Sequence, residues 1–114
     1  MSTYVPDRWM ILELIHNDET IIKIFSGDYG GYLGSDTWKL SSEIEEFIPH
    51  ADHYEFKNAS GSVYKCYYNC YGMSGYMTSI YRGWESKQTD EFKIRIDDAF
   101  EPTSEQRTGI DGPL

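Results

Sequence analysis

No apolar run in the chain approaches the ~20 residues that a membrane-spanning helix needs. The first residues, MSTYVPDRW, lack a basic patch followed by an apolar core, so no secretory signal is expected. Cysteine is scarce, with two among 114 residues. Without an export pattern both are expected to be free thiols in a reducing cytoplasm. Basic residues are few as well: 10 Lys and Arg stand against 19 Asp and Glu, a formal net charge of −9. Phosphate backbones would therefore meet no electrostatic attraction, which disfavours nucleic acid as a ligand. The same charge leaves room for a basic protein partner, or for imitation of nucleic acid toward a protein that binds it.

What the chain does have is aromatic area. Aromatic residues make up 16% of it and ten are tyrosines, so aromatic rings must stand in for missing aliphatic bulk. The length suits one domain with a modest core.

RWMILELI (8–15) alternates Met10, Leu12 and Leu14 with Trp9, Ile11 and Glu13, and TIIKIFSG (20–27) returns after His16, Asn17, Asp18 and Glu19. Alternation broken by residues that tolerate left-handed backbone predicts a β-hairpin. A glycine-rich loop from Gly27 to Ser35 precedes a strand at TWKL, with Trp38 and Leu40 on one side. Residues 43–48 fit either a strand or a single helical turn; Pro49 would end a helix that short, so a strand is expected. HYEFKN, an ASGS turn and VYKCYYNC predict a second hairpin of undecided register. The apolar spacing of Tyr76, Met77, Ile80, Tyr81 and Trp84 predicts a helix capped by Ser74. EFKIRID then closes the pattern as a strand with Phe92, Ile94 and Ile96 inward.

The expected fold is mainly β: a small antiparallel SH3-like or Sm-like barrel or bent sheet, with one helix before the last strand. An α+β sheet with one packed helix is the alternative. Residues 1–97 are expected to form the single domain. Residues 98–114, with few apolar residues and no period, are expected to be a mobile acidic and polar tail.

Candidate chemistry is thin. His50, His53, Cys66 and Cys70 form the one set that could make a four-ligand metal site. On a continuous strand the two cysteines would stand about 13 Å apart, too far for one ion or a disulfide. Cys66 with a histidine and Asp52 could be drawn as a nucleophile, yet no elbow motif surrounds it and its tyrosine neighbours supply no field to lower a thiol pKa. The glycines of GDYGGYLGSDTWK recur as in a phosphate loop, but Asp28 and Asp36 would repel phosphate, and the loop leads into a strand-like TWKL rather than a helix start. No enzymatic activity, metal or cofactor is expected.

The tyrosines remain. YGGYLGSDTW (29–38) and YGMSGYMTSIYRGW (71–84) share Tyr-Gly, Gly-Tyr and a closing Trp. Glycine-permitted turns beside tyrosines suit binding surfaces, where a phenol offers an apolar face and a hydroxyl at low entropic cost. Tyr29, Tyr32, Trp38, Tyr71 and Tyr76 are the candidate binding residues. Their ligand would be a protein partner, or a second copy joined along a sheet edge. Base stacking on these rings is a further alternative, and it would require a local basic groove.

YVPDRW, YGGYLGSDTWKL and SGSVYKC together resemble small accessory proteins of tailed phages, those of cyanophages in particular. The resemblance covers about the first two-thirds of the chain. It brings no activity and no functional residue; it implies a small protein acting in the cytoplasm of an infected bacterium.

Overall fold

The computed structural model describes residues 2–32 and 34–108. A two-residue strand, Thr3–Tyr4 (β1), precedes the long hairpin of Arg8–His16 (β2) and Glu19–Asp28 (β3). The hairpin pairs from Arg8–Gly27 through His16–Glu19, which leaves Asn17 and Asp18 as a two-residue loop. Both have positive φ, 49° and 69°. That is the backbone which matches a tight loop to strand twist.

The stretch of undecided conformation is a strand, part of Thr37–Pro49 (β4), which begins at TWKL and runs unbroken to the proline. A bulge shifts its register against β3 between Lys23 and Phe25, and a second shifts it against the next strand between Ile44 and Glu46. Two bulges in one long strand bend the sheet sharply. His53–Asn58 (β5) and Val63–Tyr67 (β6) form the second hairpin, with Phe56 opposite Tyr64 and Tyr54 opposite Cys66. Gly75–Glu85 (α1) begins at Ser74, whose hydroxyl accepts the Met77 N–H at 3.2 Å. Phe92–Ile96 (β7) then pairs with β2.

The result is one seven-stranded sheet in the order β1-β6-β5-β4-β3-β2-β7, antiparallel except where β1 joins β6. The fold is mainly β with a helix before the last strand. Of the two expected forms, the bent sheet is realised and the closed barrel is not, because β6 and β2 share no ladder. β6 ends at Tyr67 in a 3-10 turn, Tyr68–Cys70, and Tyr71 then makes an isolated parallel bridge to Trp9. The Gly72 N–H donates to the Trp9 carbonyl at 2.9 Å, and the Asp97 N–H donates to the Ile11 carbonyl at 2.9 Å. Single bonds thus seal the edge of β2 that a closed barrel would cover with a strand.

Both faces of β2 are buried, since Trp9, Met10, Ile11 and Leu12 are each at most 7% exposed. Trp9 and Ile11 face the hollow of the sheet with Ile24, Ile44, Phe56, Tyr64 and Cys66. Leu12 faces the other way, onto Phe25, Ile94 and the Met77 and Tyr81 side chains of α1. Rings supply much of the hollow's filling: Trp9 meets Tyr71, Phe56 and Tyr54 edge-on at 4.9–6.1 Å. Edge-to-face contacts of this kind add to the area the rings bury.

The expected boundary at residue 97 is not observed. Asp98–Phe100 makes a 3-10 turn, and Phe100, 7% exposed, enters the hollow against Phe47, Phe56 and Tyr54 at 5.0–5.7 Å. Ser104–Thr108 (α2) follows and packs against the Tyr68–Cys70 turn, while the Arg107 guanidinium lies over the Tyr71 ring at 5.1 Å. One aromatic anchor attaches a segment whose composition otherwise gives no sign of packing. Residues 109–114 of the expected tail lie outside the described residues.

Candidate functional site: an aromatic corner around Gly27

Gly27 is where three parts of the chain meet. It lies near the end of β3 and stands directly opposite Trp38 in β4. A Cβ built on it would be 2.5 Å from the Met77 Sδ and 3.4 Å from the Thr37 carbonyl oxygen. The missing side chain lets α1 settle on the sheet at this point. Tyr29 follows Gly27 by two positions, Trp38 faces it across the ladder and Tyr76 precedes Met77 in α1, so the backbone brings these three candidate residues to the neighbourhood of Gly27. Tyr32 stands on the loop between β3 and β4 that rises from the same corner.

Their exposure separates them from the core. Tyr32 is 98% exposed, Tyr29 53%, Tyr76 40% and Trp38 37%. Trp38 is held from beneath: its indole meets Trp84 of α1 at 5.2 Å and Phe25 at 6.1 Å, both edge-on. One flank of the ring is thereby fixed while the rest faces outward. Tyr76 lies off the buried stripe that Met77 and Tyr81 form on the helix.

Aspartates hold the loop in place. The Asp28 carboxylate accepts the Asp7 N–H at 3.1 Å, and the Asp7 carboxylate accepts the Tyr29 N–H at 2.9 Å. Across the loop, the Asp36 carboxylate accepts the Gly30 N–H at 3.0 Å. These side chains satisfy backbone donors that a glycine-rich loop would otherwise leave to water. Gly31, at φ 65°, supplies the left-handed step. The glycine pattern is turn chemistry: the Asp36 carboxylate accepts from the loop's own backbone, and the Asp28 carboxylate accepts from Asp7 beside it.

Tyr71 does not belong to this surface. It is 7% exposed and wedged against Trp9 at 4.9 Å. Its hydroxyl is buried without a hydrogen-bond partner. Burial, together with the nearby Glu101 and Asp98 carboxylates, pushes its pKa up to about 12. The adjacent glycine suggests a surface tyrosine, but Gly72, at φ 126°, makes room for the Arg8 side chain, and the Tyr71 ring packs against Trp9. The two similar stretches therefore do different work: the first presents its tyrosines, and the second buries Tyr71 and exposes Tyr76.

The histidines and cysteines fall on opposite faces. His50 and His53 stack at 4.4 Å on the outside of the sheet; His50 Nε2 is 3.2 Å from Glu55 and His53 Nδ1 is 2.6 Å from Asp52. The hydrogen bond from His53 holds the Asp52 carboxyl below its ordinary pKa. Cys66 is fully buried in the hollow, where desolvation pushes its thiol well above the ordinary value. The 3-10 turn supplies a bend between Cys66 and Cys70, yet both cysteines are free. Among the described residues no cluster of three or more His, Cys, Asp or Glu is placed to hold a metal ion.

The sheet edges offer little to an added strand. On β7 the Ile94 N–H donates to Gln88 Oε1 at 3.0 Å and the Phe92 N–H to Thr89 Oγ1 at 3.0 Å, and the Phe92 carbonyl accepts the Thr89 N–H at 2.9 Å. At the opposite edge β1 has two residues and is soon followed by Pro6, which has no N–H to donate. Caps and short strands of this kind blunt an edge against pairing, although β1 covers β6 only at Val63 and Tyr64. Sequence patterning gives no sign of the β7 cap, because Gln88 and Thr89 read as an ordinary polar turn.

Among the described residues no helix is long and apolar enough to cross a membrane. Comparison of the chain with protein-family models, with curated proteins and with solved structures finds no match.

Proposed function

We propose that the protein is a non-enzymatic interaction module that binds a protein partner through the aromatic corner formed by Tyr29, Tyr32, Trp38 and Tyr76. The observation that carries this reading is the exposure of four large rings on a loop, strand and helix that meet at Gly27. Aromatic side chains lose few rotamers on burial, and a loop pinned by its own aspartates has less entropy to lose than a free one. The buried, desolvated Cys66 and its separation from the histidines support a role without nucleophilic chemistry. Capped edges favour contact through side chains over strand addition. The likeness of YVPDRW, YGGYLGSDTWKL and SGSVYKC to phage accessory proteins supports a setting in the cytoplasm of an infected bacterium.

The test is capture of bacterial proteins on the immobilised chain and on a variant carrying Tyr29→Ala, Tyr32→Ala, Trp38→Ala and Tyr76→Ala. The expected result is a partner retained by the parent and lost by the variant, with circular dichroism of the two unchanged. Equal capture by both would overturn the assignment of the corner.

A further inference from the structure

The sheet order ends at β1 and β7, but a further edge lies inside it, and the caps that disfavour strand addition at the ends do not reach it. β4 pairs with β3 from Thr37 to Glu43 and with β5 from Ile44 to Pro49. Ser42 and Glu43 meet the turn after β5, where the Ser60 N–H donates to Ser42 Oγ at 3.2 Å and the Ala59 N–H to the Glu43 carbonyl at 2.9 Å. Residues 37–41 run past that turn with a strand on one side only. Alternation along the strands decides which backbone groups face the opening. The Trp9 carbonyl accepts from Gly72, away from β3, so Arg8 and Met10 turn their groups toward β3, where Gly27 and Phe25 answer them. Ser26 and Asp28 then face β4, as does Ile24, whose N–H donates to Ser41 Oγ at 2.8 Å. Their partners Lys39 and Thr37 face back, which directs the N–H and C=O groups of Trp38 and Leu40 outward. Among the described residues no hydrogen bond covers them.

Outward backbone groups of this kind are a template on which an extended segment of another chain adds. A lysine in an edge strand usually discourages such pairing. Here the Lys39 ammonium is turned onto the Tyr4 ring at 3.9 Å, on the hollow side of the sheet, and takes no ion-pair partner among the described residues. On the opposite side Trp38 is 37% exposed and Leu40 is half-buried. Resting on the reading that Trp38 belongs to the binding surface, we infer that this edge takes an extended segment of the partner protein as an added antiparallel strand. Residues set opposite Trp38 and Leu40 fall on the side of those two apolar chains, and the residue between them falls on the side of the Lys39 ammonium. The segment is therefore an alternating one, with β-branched or aromatic residues flanking an acidic residue. A second copy suits the edge less well. Antiparallel pairing centred on Lys39 would set two lysines opposite each other, and a net charge of −9 on each chain opposes their approach.

Backbone amide exchange followed by NMR tests the edge directly. In the chain alone, the Trp38 and Leu40 amides are expected to exchange about tenfold faster than the Lys39 amide, and the chain is expected to sediment as a monomer. A blocked peptide in which two valines flank a central glutamate, with a threonine at each end, is expected to bind and to slow the Trp38 and Leu40 amides about tenfold. N-methylation of both valines keeps their side chains and removes the donors that an antiparallel strand offers, so binding should be lost. Lysine in place of the glutamate should weaken binding about threefold, and Lys39→Glu should reverse that preference. A preference that ignores Lys39→Glu would overturn the acidic position. Equal binding of the N-methylated peptide would mean contact through side chains alone and would overturn the inference. So would absence of binding, slow exchange of Trp38 and Leu40 in the chain alone, or a dimer that protects them without peptide. If the captured partner depends on the four rings yet leaves those two amides exchanging as before, the strand assignment falls and the corner stands; if capture ignores the rings while the amides become slow, the corner falls and the edge stands.

Discussion

Gly27 and Met77 are in contact with no room for a side chain on the glycine, since its Cβ would stand 2.5 Å from the Met77 Sδ and 2.8 Å from its Cγ. Met77 is fully buried and so has little freedom to withdraw. The contact of Trp38, opposite Gly27, with Trp84 of α1 depends on the spacing between α1 and β3.

Replacing Gly27 by Ala should push α1 from the sheet at a cost of about 1–3 kcal/mol, the usual range for overfilling a packed site. Urea unfolding measures it. The cost should shrink in the double variant with Met77→Ala, where the offending sulfur is gone. Additive losses would show that the two residues do not compete for one space.

Phe100→Ala should destabilise the protein by about 3–5 kcal/mol, as removal of a buried ring does. Phe100 is 7% exposed between Phe47, Tyr54 and Phe56. The control is Glu105→Ala in the exposed α2, which should leave the unfolding midpoint in place. A loss under about 1 kcal/mol for Phe100→Ala would mean that residues 98–108 are attached by something other than this ring.

The parts of the fold that could be read from the sequence are those whose signals are local. The hairpin of β2 and β3 announces itself by alternation on both sides of Asn17 and Asp18, β7 by Phe92, Ile94 and Ile96, and the start of α1 by Ser74. Tyr71 could not be placed that way: the Gly72 that follows it speaks for a surface, whereas Trp9, distant in sequence, packs against its ring. Phe100 is equally silent, a single ring in a polar stretch. The exposure of Tyr29 and Tyr32 follows from loop composition, whereas their meeting with Tyr76 depends on how α1 packs. That spacing is set by Gly27, whose role is visible only once Met77 is placed beside it.

The Tyr71 hydroxyl gives an alkaline signature. Its pKa in the folded chain, raised to about 12, lies above the ordinary value of 10.0. Folding therefore favours the neutral phenol. The corresponding stability is complete below about pH 10 and is lost as pH rises toward about 12. Burial also raises Tyr54, Tyr64, Tyr68 and Tyr81, so the parent should lose stability through several groups in that window. Tyr71→Phe should lose less than the parent between about pH 8 and pH 11. At neutral pH it should be as stable as the parent or more so by up to about 1 kcal/mol, because it deletes a buried hydroxyl that has no partner. Urea unfolding at the two pH values measures both effects, and identical slopes would contradict the assignment.

The place of β2 in the sheet order also governs how the chain reaches this structure. One of its sides pairs with β3, its neighbour in the chain, and the other with β7, where the Arg95 guanidinium meets Glu13 from 82 residues away. The first pairing closes a loop of two residues and can form within microseconds. The second has to draw together nearly the whole chain before any contact repays the lost entropy. Hairpin formation should therefore come early and docking of β7 late, with the apolar residues on the outward face of β2 uncovered in between. That interval, rather than the finished molecule with its capped edges, is when the protein is most open to aggregation.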